Sequence, residues 1–360
     1  MLTAFIDRLP GKPLIPLLYP NFGQEDSSAQ LFQAQAFHSL TEPLLTVTDD
    51  PMKADVLLLP HNFPTVRNEE QYLKKVEALS RSTGKRIIVF WHGDGTNPVP
   101  FTNALVFRTS QYRSRLRPNE VIMPAYTEDL LENEPLILKT KEARPVVSFC
   151  GWASYPSFMT RILSLAHATL LTVLAVITGH SNFSTRIKGL VLRRRILRIL
   201  NGCSKIQTDF LLRSSHSAHR KTIRLDPARA RDEYINNLLH ADLALCVKGD
   251  GNYSLRFYEA LSLGRIPLLI DTDCALPRED VINYENFMLR IPLKNIRNID
   301  AIIAKFWSTL TPEHFAEMQR LARDTFEKYL STKKFLEWAI ERMMTDATML
   351  DLSQNLPLKA

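Results

Sequence analysis

The stretch Ala241–Asp280, ADLALCVKGDGNYSLRFYEALSLGRIPLLIDTDCALPRED, decides the fold. Leu243–Val247 is an apolar run of strand length, and Gly249-Asp250-Gly251-Asn252 supplies turn chemistry. Ser254 is a good helix N-cap, Gly264 stands where a C-cap belongs, and Ile266–Ile270 reads as a second buried strand. Such a strand–loop–helix–strand unit sets a loop and a helix N-terminus at the carboxyl edge of a parallel sheet. Phosphate-bearing ligands bind at that edge.

The helix in this unit is apolar nearly all round (Leu255, Phe257, Tyr258, Ala260, Leu261, Leu263), so it should be buried. Arg256, Glu259 and Ser262 are its polar members, and their spacing puts them on one stripe. Two readings of that stripe stand side by side. Arg256 and Glu259 form an ion pair that closes a gap in the core, a weak source of stability once desolvation is counted. Otherwise Arg256 grips an anion while Glu259 accepts hydrogen bonds from sugar hydroxyls, which suits a nucleoside diphosphate with its ribose.

The longer run GDGNYSLRFYEALSLGRIPLLIDTDCALP, followed by VINYENF, resembles the C-terminal signature of the exostosin-type glycosyltransferases, especially bacterial members. Val146–Gly151 (VVSFCG) resembles the strand and glycine loop that open the family's second domain. Ala54–Pro60, Arg86–Gly95 and Val121–Ala125 resemble strand ends of its first domain more faintly. The resemblance implies an α/β fold of GT-B type, two Rossmann-like domains facing across a cleft with a C-terminal helix packing back on the first. Residues 1–140 are then the acceptor-side domain, 145–331 the nucleotide-sugar-binding domain, and 332–360 the returning helix and tail. The implied activity moves a sugar from a nucleoside-diphosphate donor, UDP-type, to a glycan or lipid-linked glycan acceptor, with inversion and without a metal. The alternative is a non-catalytic relative that binds nucleotide or glycan and scaffolds a polysaccharide assembly complex.

Under this resemblance, charge building on the departing diphosphate must be met by guanidinium groups and a helix N-terminus. Arg256, Ser254 and the backbone at Gly249–Gly251 are placed for that, with Lys248 as a helper. Glu259 would fix the ribose, and Gly151 would let the opening loop approach the donor. Asp271 would cap a turn or orient Arg256. Asp271-Thr272-Asp273 has the spacing of a metal–diphosphate motif, but its context in this signature argues against a metal role, and no cofactor is expected. On the acceptor side, His92 and Asp94 end an apolar strand with a flexible turn and are the candidates for general base, with His61 next.

Composition bounds the rest. At 360 residues and 45% hydrophobic, the chain can bury two cores, and 12 glycines with 23% charged residues fit a globular enzyme. The four cysteines are scattered without a CxxC pair, which argues against zinc. The net charge of +7 is concentrated in RIKGLVLRRRILRIL, from Arg186 to Leu200. That run reads either as a surface approaching anionic lipid headgroups or glycan, or as a solvated basic face whose Ile and Leu residues pack inward, and the second is favoured. It lacks interleaved aromatics, so no nucleic-acid partner is expected.

Asp7 and Arg8 interrupt the apolar N-terminus, which argues against a signal peptide and for a cytoplasmic setting, with the inner membrane face as a peripheral site. Ile162–Thr178 falls short of a spanning length and reads as core, a helix from about Ser157 running towards a strand near Val173–Thr178. Leu14–Leu18, Val56–Leu59, Ile87–Trp91 and Ala104–Phe107 read as first-domain strands, with helices at Gln71–Ser80 and Gln30–Leu40. Glu132–Arg144 looks like the linker, and helices are expected over Glu233–Leu239, from Thr311 onward, and over Lys334–Met344.

Overall fold

A computed structural model describes residues 1–24, 31–132, 134–179, 181–215 and 219–355, with side chains described up to residue 347 except at 181 and 182. Six short strands build the first sheet: β1 (Thr3–Phe5), β2 (Thr46–Thr48), β3 (Val56–Leu58), β4 (Ile87–Trp91), β5 (Ala104–Arg108) and β6 (Glu120–Ile122). They run in the order β2-β1-β3-β4-β5-β6, every pairing parallel. A fully parallel sheet needs both faces covered, and the central strands show it in their alternation. Ile88, Phe90, Leu105 and Phe107 enter one core, while Ile87, Val89, Trp91 and Val106 enter another on the opposite face. Three helices belong to this half: α1 (Tyr19–Phe22), α2 (Phe63–Val66) and α3 (Glu70–Thr83). Tyr72, Leu73 and Val76 of α3 fill the second of these cores.

The second sheet holds β7 (Val146–Trp152), β8 (Gln207–Arg213), β9 (Leu243–Cys246), β10 (Ile266–Asp271) and β11 (Leu289–Pro292). Its order is β11-β10-β9-β7-β8, again parallel throughout. The chain reverses its direction of travel across the sheet between β7 and β9. In open α/β sheets the crevice outside the carboxyl ends at such a switch is where ligands bind. Around it stand α4 (Phe158–Thr178), α5 (Gly189–Asn201), α6 (Pro227–His240), α7 (Leu255–Ser262), α8 (Ile299–Thr309) and α9 (Pro312–Thr325). A π-turn at Phe326–Leu330 breaks the α9 ladder and leads into α10 (Thr332–Asn355). Phe335, Leu336, Ala339, Ile340 and Met343 of α10 join the core on one face of the first sheet. The returning C-terminal helix is thus in place, and two parallel sheets with their helices form the α/β architecture that the sequence implied.

The signature folds as read. Ser254 precedes α7 but makes no side-chain cap hydrogen bond, Leu255 is exposed while residues 256–262 are buried, and Gly264 takes the left-handed conformation just past the helix, φ +61°. A Cβ there would also lie 2.5 Å from Leu136 Cδ1, so the position needs glycine twice over. Thr311 caps α9, as its sequence suggested, by accepting from His314 N–H.

Several expectations are corrected. Leu14 makes only an isolated antiparallel bridge to His61, and Pro16–Leu18 is a 3-10 turn, because Pro16 cannot donate to a ladder. Around Gln30–Leu40 the described part is a 3-10 segment, Gln33–Phe37, while Gln30 lies outside the described residues. The apolar stretch after Ser157 does not end in a strand. It is one helix through Thr178 that buries only Ser164, Ala168 and Leu171 fully. The next strand after it is Gln207–Arg213, at the edge of the second sheet and at most half-buried.

Candidate functional site

The loops leaving β7 and β9 meet at the switch point. Gly151 lies near the end of β7, and a Cβ on it would press against the Phe149 ring at 3.3 Å. Lys248 and Gly249 follow β9, and Arg256 stands in the first turn of α7.

Arg256 and Glu259 make no ion pair with each other. Arg256 is 6% exposed; its Nη2 donates to Ser148 Oγ (2.9 Å) and Asn237 Oδ1 (2.7 Å). Its Nε and Nη1 are buried with no hydrogen-bond partner. A guanidinium with two unmatched buried donors is costly, because each forfeits hydration without compensation. Glu259 instead accepts from Arg231 (3.2 Å) and, in a short bond, from the Tyr234 hydroxyl. Arg231 also pairs with Glu128 on the chain leading out of the first sheet. The Tyr234 ring lies 5.2 Å from the Arg256 guanidinium, so one α6 residue serves both functional side chains of α7.

The basic run of α5 is only partly a solvated face. Leu192, Ile196, Leu197 and Leu200 pack inward as expected. Arg193 and Arg194 turn to the strand ends, however. Arg193 donates to the carbonyls of Lys248 (3.1 Å) and Trp152 (3.4 Å), and Arg194 to that of Ala153 (2.7 Å). Arg193 Nε is buried without a partner, and burial lowers the pKa of this guanidinium. Arg193 and Arg256 lie 6.0 and 5.9 Å from the Phe149 ring centre. Gly189, which opens α5, permits this approach, since a Cβ there would fall 2.1 Å from the Lys248 carbonyl oxygen. Lys248 itself is buried, donates to the Thr185 carbonyl at 2.6 Å, and has its pKa pushed down to about 8 by desolvation. Sequence reasoning missed Arg193, Tyr234 and Arg231. Only the apolar context of Arg193 hinted at burial.

The first domain meets the same loop from the other side. Asp94 sits on the exposed turn after β4, and the Tyr253 hydroxyl hydrogen-bonds to its carboxylate. A Cβ at Gly251 would lie 2.5 Å from Asp94 Oδ1 and 2.9 Å from its Cα, so glycine lets the two domains touch here. Arg108, fully buried at the end of β5, holds that turn by donating to the carbonyls of Gly95 (2.6 Å), Asn97 (3.1 Å) and Ser110 (3.0 Å) while it pairs with Glu120. An arginine closing an otherwise apolar strand was the available signal for it.

His92 is not brought to the signature loop. Its ring stacks on Tyr126 (4.6 Å, 17°), and its Nε2 accepts from the Tyr126 N–H at 3.4 Å. Burial pushes its pKa down to about 4, so the ring is neutral and its one proton sits on Nδ1. His61 is buried at the switch point of the first sheet, where Nε2 accepts from Leu9 N–H (2.9 Å) and Nδ1 meets the Pro13 carbonyl (2.9 Å).

Asp271 caps a turn by accepting from Cys274 N–H (2.9 Å), but it does not orient Arg256; its other oxygen faces Arg113 and Arg290, both at 3.6 Å. Asp273, at φ +63°, accepts from Ser114. Asn252 is the hub between them. It donates from its backbone to Ser110 Oγ (2.9 Å) and from its amide to the carbonyls of Gln111 and Asp273 (both 3.1 Å), and it accepts from Thr272 (2.6 Å).

Two parallel sheets, with the buried Arg256 at the switch point of the second and the first domain set against its loops, give an α/β arrangement whose strand carboxyl ends are where ligands bind in open sheets. Residues 156–306 match the family model of the Exostosin GT47 domain. A crystal structure of a glycosyltransferase from Rickettsia africae ESF-5 is similar over 95% of this chain and 97% of its own, at 13% identity and a TM-score of 0.37.

Proposed function

We propose that the protein transfers a sugar from a UDP-type nucleotide to a glycan or lipid-linked glycan acceptor, with inversion and without a metal. The observation that carries this reading is the buried Arg256 guanidinium, anchored through Nη2 and unmatched at Nε and Nη1. A diphosphate would satisfy those donors, and Arg193, likewise packed near Phe149, has a buried Nε without a partner. Glu259, oriented by Arg231 and Tyr234, keeps lone pairs for ribose hydroxyls. The acceptor hydroxyl gives its proton to Asp94 as its oxygen bonds to the anomeric carbon. The bond from that carbon to the diphosphate breaks, and the departing nucleotide carries its charge into the guanidinium cluster. Asp94 suits this role better than His92, whose only basic nitrogen already faces a backbone N–H. Asp271 and Asp273 face cations and a serine of the first domain, which speaks for a structural use of the pair.

Calorimetry on the full chain with UDP, GDP and ADP tests the donor side, and release of nucleotide from a panel of UDP-sugars with glycan acceptors tests transfer. Tight UDP binding without transfer across the panel, with Asp94→Asn behaving as wild type, would favour the scaffold reading. Absence of nucleotide binding would end the transfer reading and leave only a glycan-binding scaffold.

A further inference from the structure

Helix α4 is built the wrong way round for a core helix. Its buried stripe is Ser164, Ala168 and Leu171, while its large apolar residues face outward. Phe158 is 74% exposed, Val176 78% and Ile177 75%. At 100° per residue, the face opposite the buried stripe carries Met159, Ile162, Leu170 and Val173 with these three, and no charged residue. Arg161 and His167 fall on the flanks of that face.

The surroundings are equally one-sided. From Ala143 to Thr208 the chain contains no Asp or Glu. Arg161, Arg186, Lys188, Arg195 and Arg198 of this tract are all exposed. The helix packs against the 3-10 turn Ser181–Arg186 and against α5, so the apolar face and the cations belong to one local unit. Apolar residues beside unopposed cations are the composition of a helix lying at an anionic lipid surface.

Topology rules out a simple crossing. The helix is long and apolar enough to cross a membrane by composition. It lies, however, in the connection between β7 and β8, which pair in the same sheet. A crossing would strand α5 on the far side, and α5, 13 residues long with Arg193, Arg194, Arg195 and Arg198, cannot serve as the return span. A second copy of the chain is a poorer occupant, because a two-fold contact through α4 would set one acid-free cationic tract against another.

We infer that α4 is a monotopic anchor that seats its apolar face in an anionic bilayer surface, with the cations of the flanking turn and α5 on the headgroups. This would hold the transfer site beside a membrane, and it stands independently of the proposed chemistry.

The test is flotation of the full chain with phosphatidylcholine vesicles and with vesicles containing about 30% phosphatidylglycerol, together with sedimentation velocity in the absence of lipid. Binding is expected to the anionic vesicles and to be at least about tenfold weaker on the neutral ones. Ile162→Glu/Val173→Glu should abolish it, with unfolding followed in parallel by circular dichroism. Arg195→Glu/Arg198→Glu changes only exposed side chains, so it tests the idea should the first variant misfold; it is expected to weaken binding at least about tenfold. Failure of the wild type to float with anionic vesicles would overturn the inference. So would a stable dimer that Ile162→Glu/Val173→Glu dissolves while vesicle binding is unchanged.

Discussion

Replacing Arg256 by methionine separates the two readings of the α7 stripe. The side chain keeps roughly its length and loses its charge. Two hydrogen bonds disappear, to Ser148 at 2.9 Å and Asn237 at 2.7 Å, each worth about 1.5–3 kcal/mol because the donor is charged. Against that loss stands the removal of two buried, unpartnered donors at Nε and Nη1, whose unmatched burial costs about 1–3 kcal/mol each. Central values of about 4.5 kcal/mol lost against about 4 kcal/mol recovered nearly cancel, so Arg256→Met should change the unfolding free energy of the nucleotide-free protein by about 2 kcal/mol or less. Had Arg256 been half of a buried ion pair, breaking it would cost about 3–5 kcal/mol.

Nucleotide binding should respond very differently. Losing one charge-assisted contact to a diphosphate costs about 1.5–3 kcal/mol, a weakening of about 10- to 160-fold. Urea unfolding followed by circular dichroism gives the first quantity, and calorimetric titration with UDP the second. A loss of stability above about 3 kcal/mol with unchanged nucleotide affinity would refute the reasoning and return Arg256 to the core. Arg256→Lys should fall between the two, since a point charge replaces the fork.

Gly251→Ala should destabilise the protein by about 1–3 kcal/mol in urea unfolding, since its Cβ would meet Asp94 Oδ1 at 2.5 Å and a backbone carbon at 2.9 Å. Asp94→Asn should lower turnover about 10²–10⁴-fold with nucleotide affinity intact, whereas His92→Ala should cost stability first; the reverse pattern in kinetics and melting would make His92 the base. The folded pKa of His92 lies at about 4 against an ordinary 6.5, so the unfolded chain binds the extra proton between these values. Its contribution to stability is therefore complete above about pH 6.5 and is lost as pH falls towards 4, and His92→Gln should flatten that part of a stability–pH profile. Transfer should persist in excess chelator; loss that Mn²⁺ restores would make Asp271-Thr272-Asp273 a metal motif after all.

What could be read in the sequence followed from local chemistry. The strand–loop–helix unit around α7 was legible because turn residues, cap and apolar runs agree over 30 residues, and Ile87–Trp91 was legible as a wholly apolar run. Thr3–Phe5 and Thr46–Thr48 were not, because strands of three residues carry too little pattern and owe their state to their neighbours in the sheet. The partners of Arg256 come from β7 and α6, 108 and 19 residues away, so only the folded chain could show which donors stay unmatched. The exposure of α4 was hidden for the opposite reason: hydrophobicity ordinarily signals burial, and nothing local says that a helix turns its small residues inward.

The signature divides into two jobs. Its helical half, Arg256 and Glu259, faces β7 and α6. Its loop half, Gly251 and Asn252 with Thr272 and Asp273, grips the first domain through Asp94, Ser110, Gln111 and Ser114. Transfer between two bound sugars depends on the distance between donor and acceptor sites more than on either site alone, because misplacement by about 1 Å can cost about 100-fold in rate. A motif that carries both the domain contact and the proposed donor contacts would tie that distance to its own backbone. The carboxylates fit the same division: Asp271 faces Arg113 and Arg290 and Asp273 holds Ser114, so both are engaged in the contact between the two halves of the molecule.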